Sequence, residues 1–227
     1  MVHISPDRSP RLHGKTKVAI EQPSSGEFMG WCCNVIQELA RRRVSARSFR
    51  TAGVEFSAIA QILEVARQAP SGANRQPWKF IVIDNPRLKS LVRKACEKGE
   101  KEYHSRAPQW MKRWMRKRNI APIKPFLTQA PYLIVICADT GAPYHIQSTW
   151  ISIGYVLLAA EEMGLGTLTY TPSSVSELRE ILEIPDKYSL EAILPIGLPT
   201  GGKLKRRRSL KDLIYINGWG KAGSVGI

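Results

Sequence analysis

The feature that most constrains this chain is the run Trp150–Ala160, WISIGYVLLAA, which carries no charged side chain. With its flanks it predicts a helix over 145–163 that is apolar nearly all round. A helix of that kind must be covered on every side. The chain has 227 residues, enough for one domain with a sizeable core. In a domain of this size a subunit interface is a natural place to cover the last side of such a helix.

The rest of the chain is organised around that element. Residues 1–27 are polar, with Pro, Gly and Ser (SPDRSPRLHG, then EQPSSGE). They read as a flexible arm that packs on a partner subunit. A domain over 28–220 follows. Trp31, Val35, Ile36 and Leu39 recur at helical spacing over 28–43, ending in Arg41, Arg42 and Arg43. Ile59, Ile62, Leu63 and Ala66 do the same over 56–68. Pro70 ends that helix, because proline disfavours the helical conformation in the residue before it. Strands are expected at 78–83, 133–137, 167–171 and 190–196. Asp84-Asn85-Pro86 turns the chain into a helix at 87–102. Ser174 and Glu177 have the spacing of a capping box for a helix at 175–182, Gly164 and Gly166 stop the long helix, and 210–215 reads as a strand-like tail. Strands and helices in this mixed order give an α+β or α/β layout.

Composition narrows the function classes. No stretch approaches the roughly 18 uninterrupted apolar residues of a membrane helix, and no apolar stretch precedes Trp31 to serve as a secretory signal. Cys32, Cys33, Cys96 and Cys137 form no CxxC pair and no zinc spacing, so no metal is expected, and they read as buried thiols of a reducing cytoplasm. Against 19 acidic residues stand 34 basic ones, a net charge of +15. Such a balance points to anionic partners: a nucleic acid, a phosphorylated cofactor, or solvent alone.

Four constellations are candidates for chemistry. In Arg43-Val44-Ser45-Ala46-Arg47, alternate side chains of an extended segment point the same way. Two guanidinium forks and a hydroxyl can thus converge on one phosphate; a solvated basic helix end is the alternative. The second is Ala69-Pro-Ser-Gly-Ala-Asn-Arg-Gln-Pro-Trp78, a loop of small residues with a glycine that permits close backbone approach. Its Asn74 and Gln76 can bond the edge of a heterocycle. In the third, Gly164–Pro172, Thr167, Thr169 and Thr171 alternate, which is also what plain β propensity produces. The fourth is the basic run Lys203–Leu210, readable as a phosphate contact, a solvated charge run or a nucleic-acid patch.

In this order and spacing the four resemble the nitroreductase superfamily of FMN enzymes, over about residues 30–215. Pro-Ser-Gly-Ala-x-x-Gln-Pro-Trp is the most specific part. The resemblance implies an α+β, three-layer fold, with a mixed, mainly antiparallel sheet flanked by helices. It also implies an intertwined homodimer with two FMN sites at its interface. Arg43, Val44, Ser45 and Arg47 would then hold the phosphate and ribityl chain, with Arg207 adding charge. Val44 stands where many members carry a second basic residue or a histidine. Pro70, Ser71, Gly72, Asn74 and Gln76 would line the ring from the other subunit.

Within the superfamily the chain looks most like the iodotyrosine deiodinase branch, by its Thr-x-Thr-Pro strand and Lys124-Pro-Phe-Leu127. The branch implies that the Thr171 hydroxyl bonds flavin N5, favouring one-electron steps, and that Thr169 and Tyr170 line the ring. It also implies a substrate held by Ala73, Glu100, Tyr103 and Lys124 under a lid at about 97–127. Glu97 and Glu102 are alternatives to Glu100, and i,i+3 or i,i+4 charge pairing is a third reading of these acids. The expected reaction is reduction of an aromatic substrate, in its sharper form reductive dehalogenation of a halotyrosine-like phenol. NADH or NADPH, or a reductase partner, would reload the flavin; the chain has no GxGxxG fingerprint. Alternatives are a general NAD(P)H nitro- or quinone reductase, a flavin-cleaving dimethylbenzimidazole synthase (by the tail Leu213–Gly220), and a nucleic-acid binder using the basic stretches and Trp110 and Trp114.

Overall fold

The computed structural model describes residues 28–221, with side chains from Val35 onward. The expected arm, 1–27, lies outside the described residues. Helix α1 (Phe28–Arg42) leads into the body; α2 (Phe56–Ala66), β1 (Trp78–Ile83), α3 (Pro86–Arg106), α4 (Gln109–Lys117) and α5 (Phe126–Gln129) follow. Then come β2 (Tyr132–Asp139), α6 (His145–Glu162), β3 (Gly166–Thr167), α7 (Ser176–Ile181) and β4 (Tyr188–Gly197). The sheet order is β1-β2-β4-β3, and every pairing of these strands is antiparallel. Among the described residues the parallel component is a single bridge, Ser45 to Thr167.

Strand β2 shows why the fold has three layers. Its side chains alternate faces, yet from Leu133 to Ala138 both sets are apolar and buried. Leu133, Val135 and Cys137 enter one core with Val92 and Cys96 of α3, Phe126 and Leu127 of α5, and Leu178 of α7. Ile134 and Ile136 enter the other with Ile59 and Ile62 of α2 and Ile153, Val156 and Ala160 of α6. Fully burying one such side chain stabilises the fold by about 1.5–3 kcal/mol, which fixes the register of the central strand. Asn85 caps α3 by accepting from Leu88 N at 3.0 Å, with Pro86 in the first turn. A buried tie, Lys89 Nζ to the carbonyls of Ala130 and Pro131 (2.8 and 2.9 Å), joins α3 to the start of β2.

Several sequence expectations are corrected. The strand expected at 167–171 is cut to Gly166–Thr167, and Tyr170 returns to β4 through a lone bridge with Ile193. Thr169 and Thr171 face outward while Leu168 and Tyr170 enter the core, so alternation persists without a continuous ladder. Ser174 and Glu177 form no capping box: Val175 precedes α7, no side chain caps it, and Glu177 pairs with Lys98 at 2.8 Å. The strand-like tail is a short 3-10 turn, Leu210–Asp212. Among the described residues helix α6 leaves one face open, the side for which a subunit interface is expected: Ile146, Trp150 and Ile151 are 47%, 38% and 43% exposed. The lid region is three pieces: the end of α3, helix α4, and a turn into α5.

Candidate functional site

The segment after α1 and the loop after β4 enclose a cavity of about 1050 Å³. Arg43, Val44, Ser45 and Arg47 line it from one side and Gly201 to Arg207 from the other. Arg41, Lys203, Lys205 and Arg206 bring the cations in the lining to seven, and no acid is among the lining residues. The contributing helix end is the C-terminal turn of α1, whose dipole is negative. Attraction for an anion therefore comes from the side chains.

Local structure explains why these two segments meet. Ala46 N donates to Thr167 O at 3.1 Å, Arg50 N to Leu198 O at 2.9 Å, and Thr200 N to Ser48 O at 3.1 Å. The arginine segment is thus stitched between β3 and the loop leaving β4. Gly166 is the wedge point: a Cβ there would lie 2.8 Å from Ala46 Cβ and 2.7 Å from Pro199 Cβ. The buried Thr167 hydroxyl, beneath this wall, has no hydrogen-bond partner. The donor set fits a phosphate monoester with a polyol tail: several guanidinium forks, ammonium groups and a hydroxyl, with no competing carboxylate.

The loop Pro70–Trp78 lies elsewhere. Pro70, Ser71 and Gly72 line a shallow hollow of about 250 Å³ with Tyr144, Gln147, Ser148 and Ile151 at the start of α6. This hollow and the arginine cavity have no residue in common, so one chain does not unite the two candidate halves. The left-handed residues of the loop are Ala73 (φ 48), Asn74 (φ 53) and Gln76 (φ 45), a conformation that costs non-glycine residues about 1 kcal/mol or more each. Gly72 provides close approach, to the Tyr144 ring and Pro143 O. Gln76 N donates to Ser71 Oγ at 2.9 Å, closing the loop on itself, and Gly72 N donates to Ser148 Oγ at 3.2 Å, holding it to α6. The Asn74 and Gln76 side chains, expected to reach a heterocycle, bond each other at 3.2 Å.

The lid residues divide. Glu100 and Lys124 are buried and paired at 3.1 Å. Glu100 Oε1 also accepts from Tyr170 OH (3.0 Å) and Ser173 Oγ (2.8 Å), and Lys124 Nζ donates to Ala121 O at 2.7 Å. Burial pushes the Glu100 carboxyl up, but Ser173, Lys124 and Tyr170 outweigh it and hold it below the ordinary value of 4.5. Burial, with the Glu100 charge, pushes the Tyr170 phenol up, so it stays a donor. Glu97 serves Arg93 (2.6 Å) and Lys124 N (2.8 Å), and Glu102 is exposed. Tyr103 is half-exposed and donates to Met111 Sδ at 3.0 Å. Sequence reasoning missed Ser173 and Gly166; the first lies two residues past the singled-out Thr171, and the second was read as a helix stop.

Residues 40–198 match the model of the nitroreductase family. The chain is similar to the iodotyrosine deiodinase of Thermotoga neapolitana, 37% identical over 77% of this chain and 94% of the relative. It is 32% identical to that of Haliscomenobacter hydrossis, over 82% of this chain and 88% of the relative. A crystal structure of oxidized iodotyrosine deiodinase bound to FMN and 3-iodo-L-tyrosine superposes with a TM-score of 0.73 at 37% identity, covering 77% of this chain and 95% of that one.

Proposed function

The chain belongs to the nitroreductase family, and from that premise we propose that it is an FMN-dependent oxidoreductase whose reaction is reductive dehalogenation of a halotyrosine-like phenol. The observation that carries the reading is the acid-free cavity where Arg43, Ser45, Arg47 and Arg207 meet. Those side chains would hold the phosphate, as charge-assisted bonds of a kind worth about 1.5–3 kcal/mol each. FMN, when bound, supplies the two electrons of the reaction, in which a carbon–halogen bond breaks, a carbon–hydrogen bond forms with one proton, and halide leaves.

The chain's own residues supply position. Thr171 is the donor assigned to flavin N5, with Thr169 and Tyr170 beside it. The working unit in this reading is a homodimer. The exposed face of α6 (Ile146, Trp150, Ile151) adjoins the Pro70–Gly72 hollow, so the face that needs covering is the face that carries the ring-lining loop. A second chain would bring that loop to the first chain's arginine cavity. Of the four expected substrate residues, Ala73 and Tyr103 are kept as contacts in this proposal; Glu100 and Lys124, already paired with each other and with Glu100 bonded to Tyr170 and Ser173, are read instead as closing the lid behind them.

A nicotinamide or a reductase partner delivers the electrons in this proposal. Free, buried Cys96 and Cys137 suit a reducing cytoplasm, and among the described residues no helix is long and apolar enough to cross a membrane. The test is product analysis. Chemically reduced, FMN-loaded protein is mixed with 3-iodotyrosine without oxygen. Iodide and tyrosine in equal amounts, one per reduced flavin, are expected. Flavin that stays reduced with iodotyrosine but is discharged by nitroaromatics would establish a general nitroreductase instead.

A further inference from the structure

One carboxylate in the molecule is bonded more completely than a lid residue requires. Glu100 Oε1 accepts from Tyr170 OH and from Ser173 Oγ, the residues that bracket Thr171 and Pro172. The chain from 170 to 173 is therefore bent around a single oxygen atom. The other oxygen, Oε2, takes the Lys124 ammonium, which is fixed in turn to Ala121 O. Tyr170 is anchored on its far side as well. Its N–H donates to Ile193 O at 3.1 Å and its carbonyl accepts from Ile193 N at 2.8 Å. Thr171 stays exposed within the segment that Tyr170 and Ser173 clamp at either end.

Helix α3 brings its own reason for the fit. Gly99 packs where a Cβ would lie 2.9 Å from Ser174 Cβ, so the helix can approach the 173–174 turn closely enough for the next residue to reach it. The Phe126 ring meets the Tyr170 ring edge-on at 5.6 Å, and α5 thereby closes the same corner. Three separate stretches (α3, the 121–124 turn and the 170–173 segment) depend on one buried anion.

We infer that Glu100 is a positioning residue: it fixes the Tyr170–Ser173 segment, and hence the Thr171 hydroxyl, and ties that segment to the lid through Lys124. A single residue thus couples lid docking to the placement of the group assigned to the flavin edge. The inference rests on the reading of Thr171 given above, and its two parts are tested separately.

The variants are Glu100→Gln, Glu100→Ala, Thr171→Ala and the Glu100→Ala/Thr171→Ala pair in the full chain. The first measurement is amide exchange in FMN-free protein. Glu100→Ala is expected to lower protection about tenfold or more at Tyr170 and across 120–125 together, since a lost buried bond exposes both segments to local opening. In Glu100→Gln the amide oxygen still accepts from Tyr170 and Ser173, but its NH₂ opposes the Lys124 ammonium, so 120–125 loosens and Tyr170 keeps its protection. Unchanged protection in Glu100→Ala overturns the clamp; should that variant not fold, equal loosening of both segments in Glu100→Gln overturns it.

The second measurement is the separation of the two one-electron potentials of bound FMN. Glu100→Ala is expected to move it in the same direction as Thr171→Ala, and to add nothing further once Thr171 is absent. A further shift in the double variant overturns the positioning role, as does an unmoved potential in Glu100→Ala with lost protection. If Thr171→Ala itself leaves the potentials unmoved, the assignment of Thr171 fails and the positioning role falls with it, while amide exchange still decides the clamp.

Discussion

Replacing Gly166 by alanine tests how the arginine cavity is built. The added methyl would sit 2.7 Å from Pro199 Cβ and 2.8 Å from Ala46 Cβ, about 1 Å inside the ordinary carbon–carbon separation of about 3.5–4.0 Å. Both neighbours belong to stiff, hydrogen-bonded backbone: Ala46 N is held by Thr167 O, and the Pro199 segment is held by the Ser48 and Arg50 bonds. No flexible side-chain end is there to give way. Overpacking of this kind costs about 1–3 kcal/mol, and for a chain of this size that lowers Tm by about 2–12 °C. The strain falls on the two segments that carry Arg43, Ser45 and Arg47 on one side and Arg207 on the other. Splaying them misaligns at least one charge-assisted bond, so FMN affinity should fall about tenfold or more. Thermal unfolding of the FMN-free protein and a flavin fluorescence titration measure the two effects. Gly201→Ala is the control: it lies in the same basic loop with nothing within 4 Å, and should be neutral or up to about 1 kcal/mol stabilising. Wild-type Tm and FMN affinity in Gly166→Ala, or equal damage in Gly201→Ala, would refute the reasoning.

Other outcomes follow from the same geometry. Glu97 and Glu100 both titrate below the ordinary value of 4.5 in the fold. Their stabilisation is therefore complete above that value and is lost as pH falls through the folded values. Urea midpoints should drop as pH falls below 4.5, less so in Glu100→Gln; a midpoint indifferent to acid would contradict this. Ile151→Asp, on the exposed face of α6, should turn the proposed dimer into monomers in sedimentation velocity without unfolding the chain, and a wild-type sedimentation coefficient would remove α6 from the proposed interface. Burial pushes the thiol of Cys96 up to about 12 and that of Cys137 to about 11. Peptide mapping after alkylation near neutral pH should find both unlabelled in native protein and labelled after denaturation; native labelling would show the cores to be open.

The sequence was legible where one local signal ruled. Trp78–Ile83 is a strand to the residue because β-rich sequence sits between Pro77 and the Asp84-Asn85-Pro86 turn. The long helix ends at Glu162, two residues before the left-handed Gly164 expected to stop it. The arginine segment and Arg207 share a cavity although 160 positions separate Arg47 from Arg207; resemblance supplied that pairing, since spacing carries no information across such a distance. What stayed illegible was tertiary. Nothing local says that Glu177 prefers Lys98 to its own helix end, or that Glu100 is spent on Tyr170, Ser173 and Lys124. The unusual backbone of the 70–78 loop falls on Ala73, Asn74 and Gln76, where composition pointed to Gly72. Among the described residues Ile146, Trp150 and Ile151 of α6 stay exposed, and nothing local in the sequence says which side of that helix is left open.

The most direct measurement compares FMN with riboflavin on the same FMN-free protein. The two ligands share their ring and polyol and differ by the phosphate alone. If Arg43, Arg47 and Arg207 grip that phosphate, FMN should bind one per chain and at least ~100-fold tighter than riboflavin, the equivalent of one or two charge-assisted bonds. Equal affinities for the two flavins, or no binding of either, would contradict it.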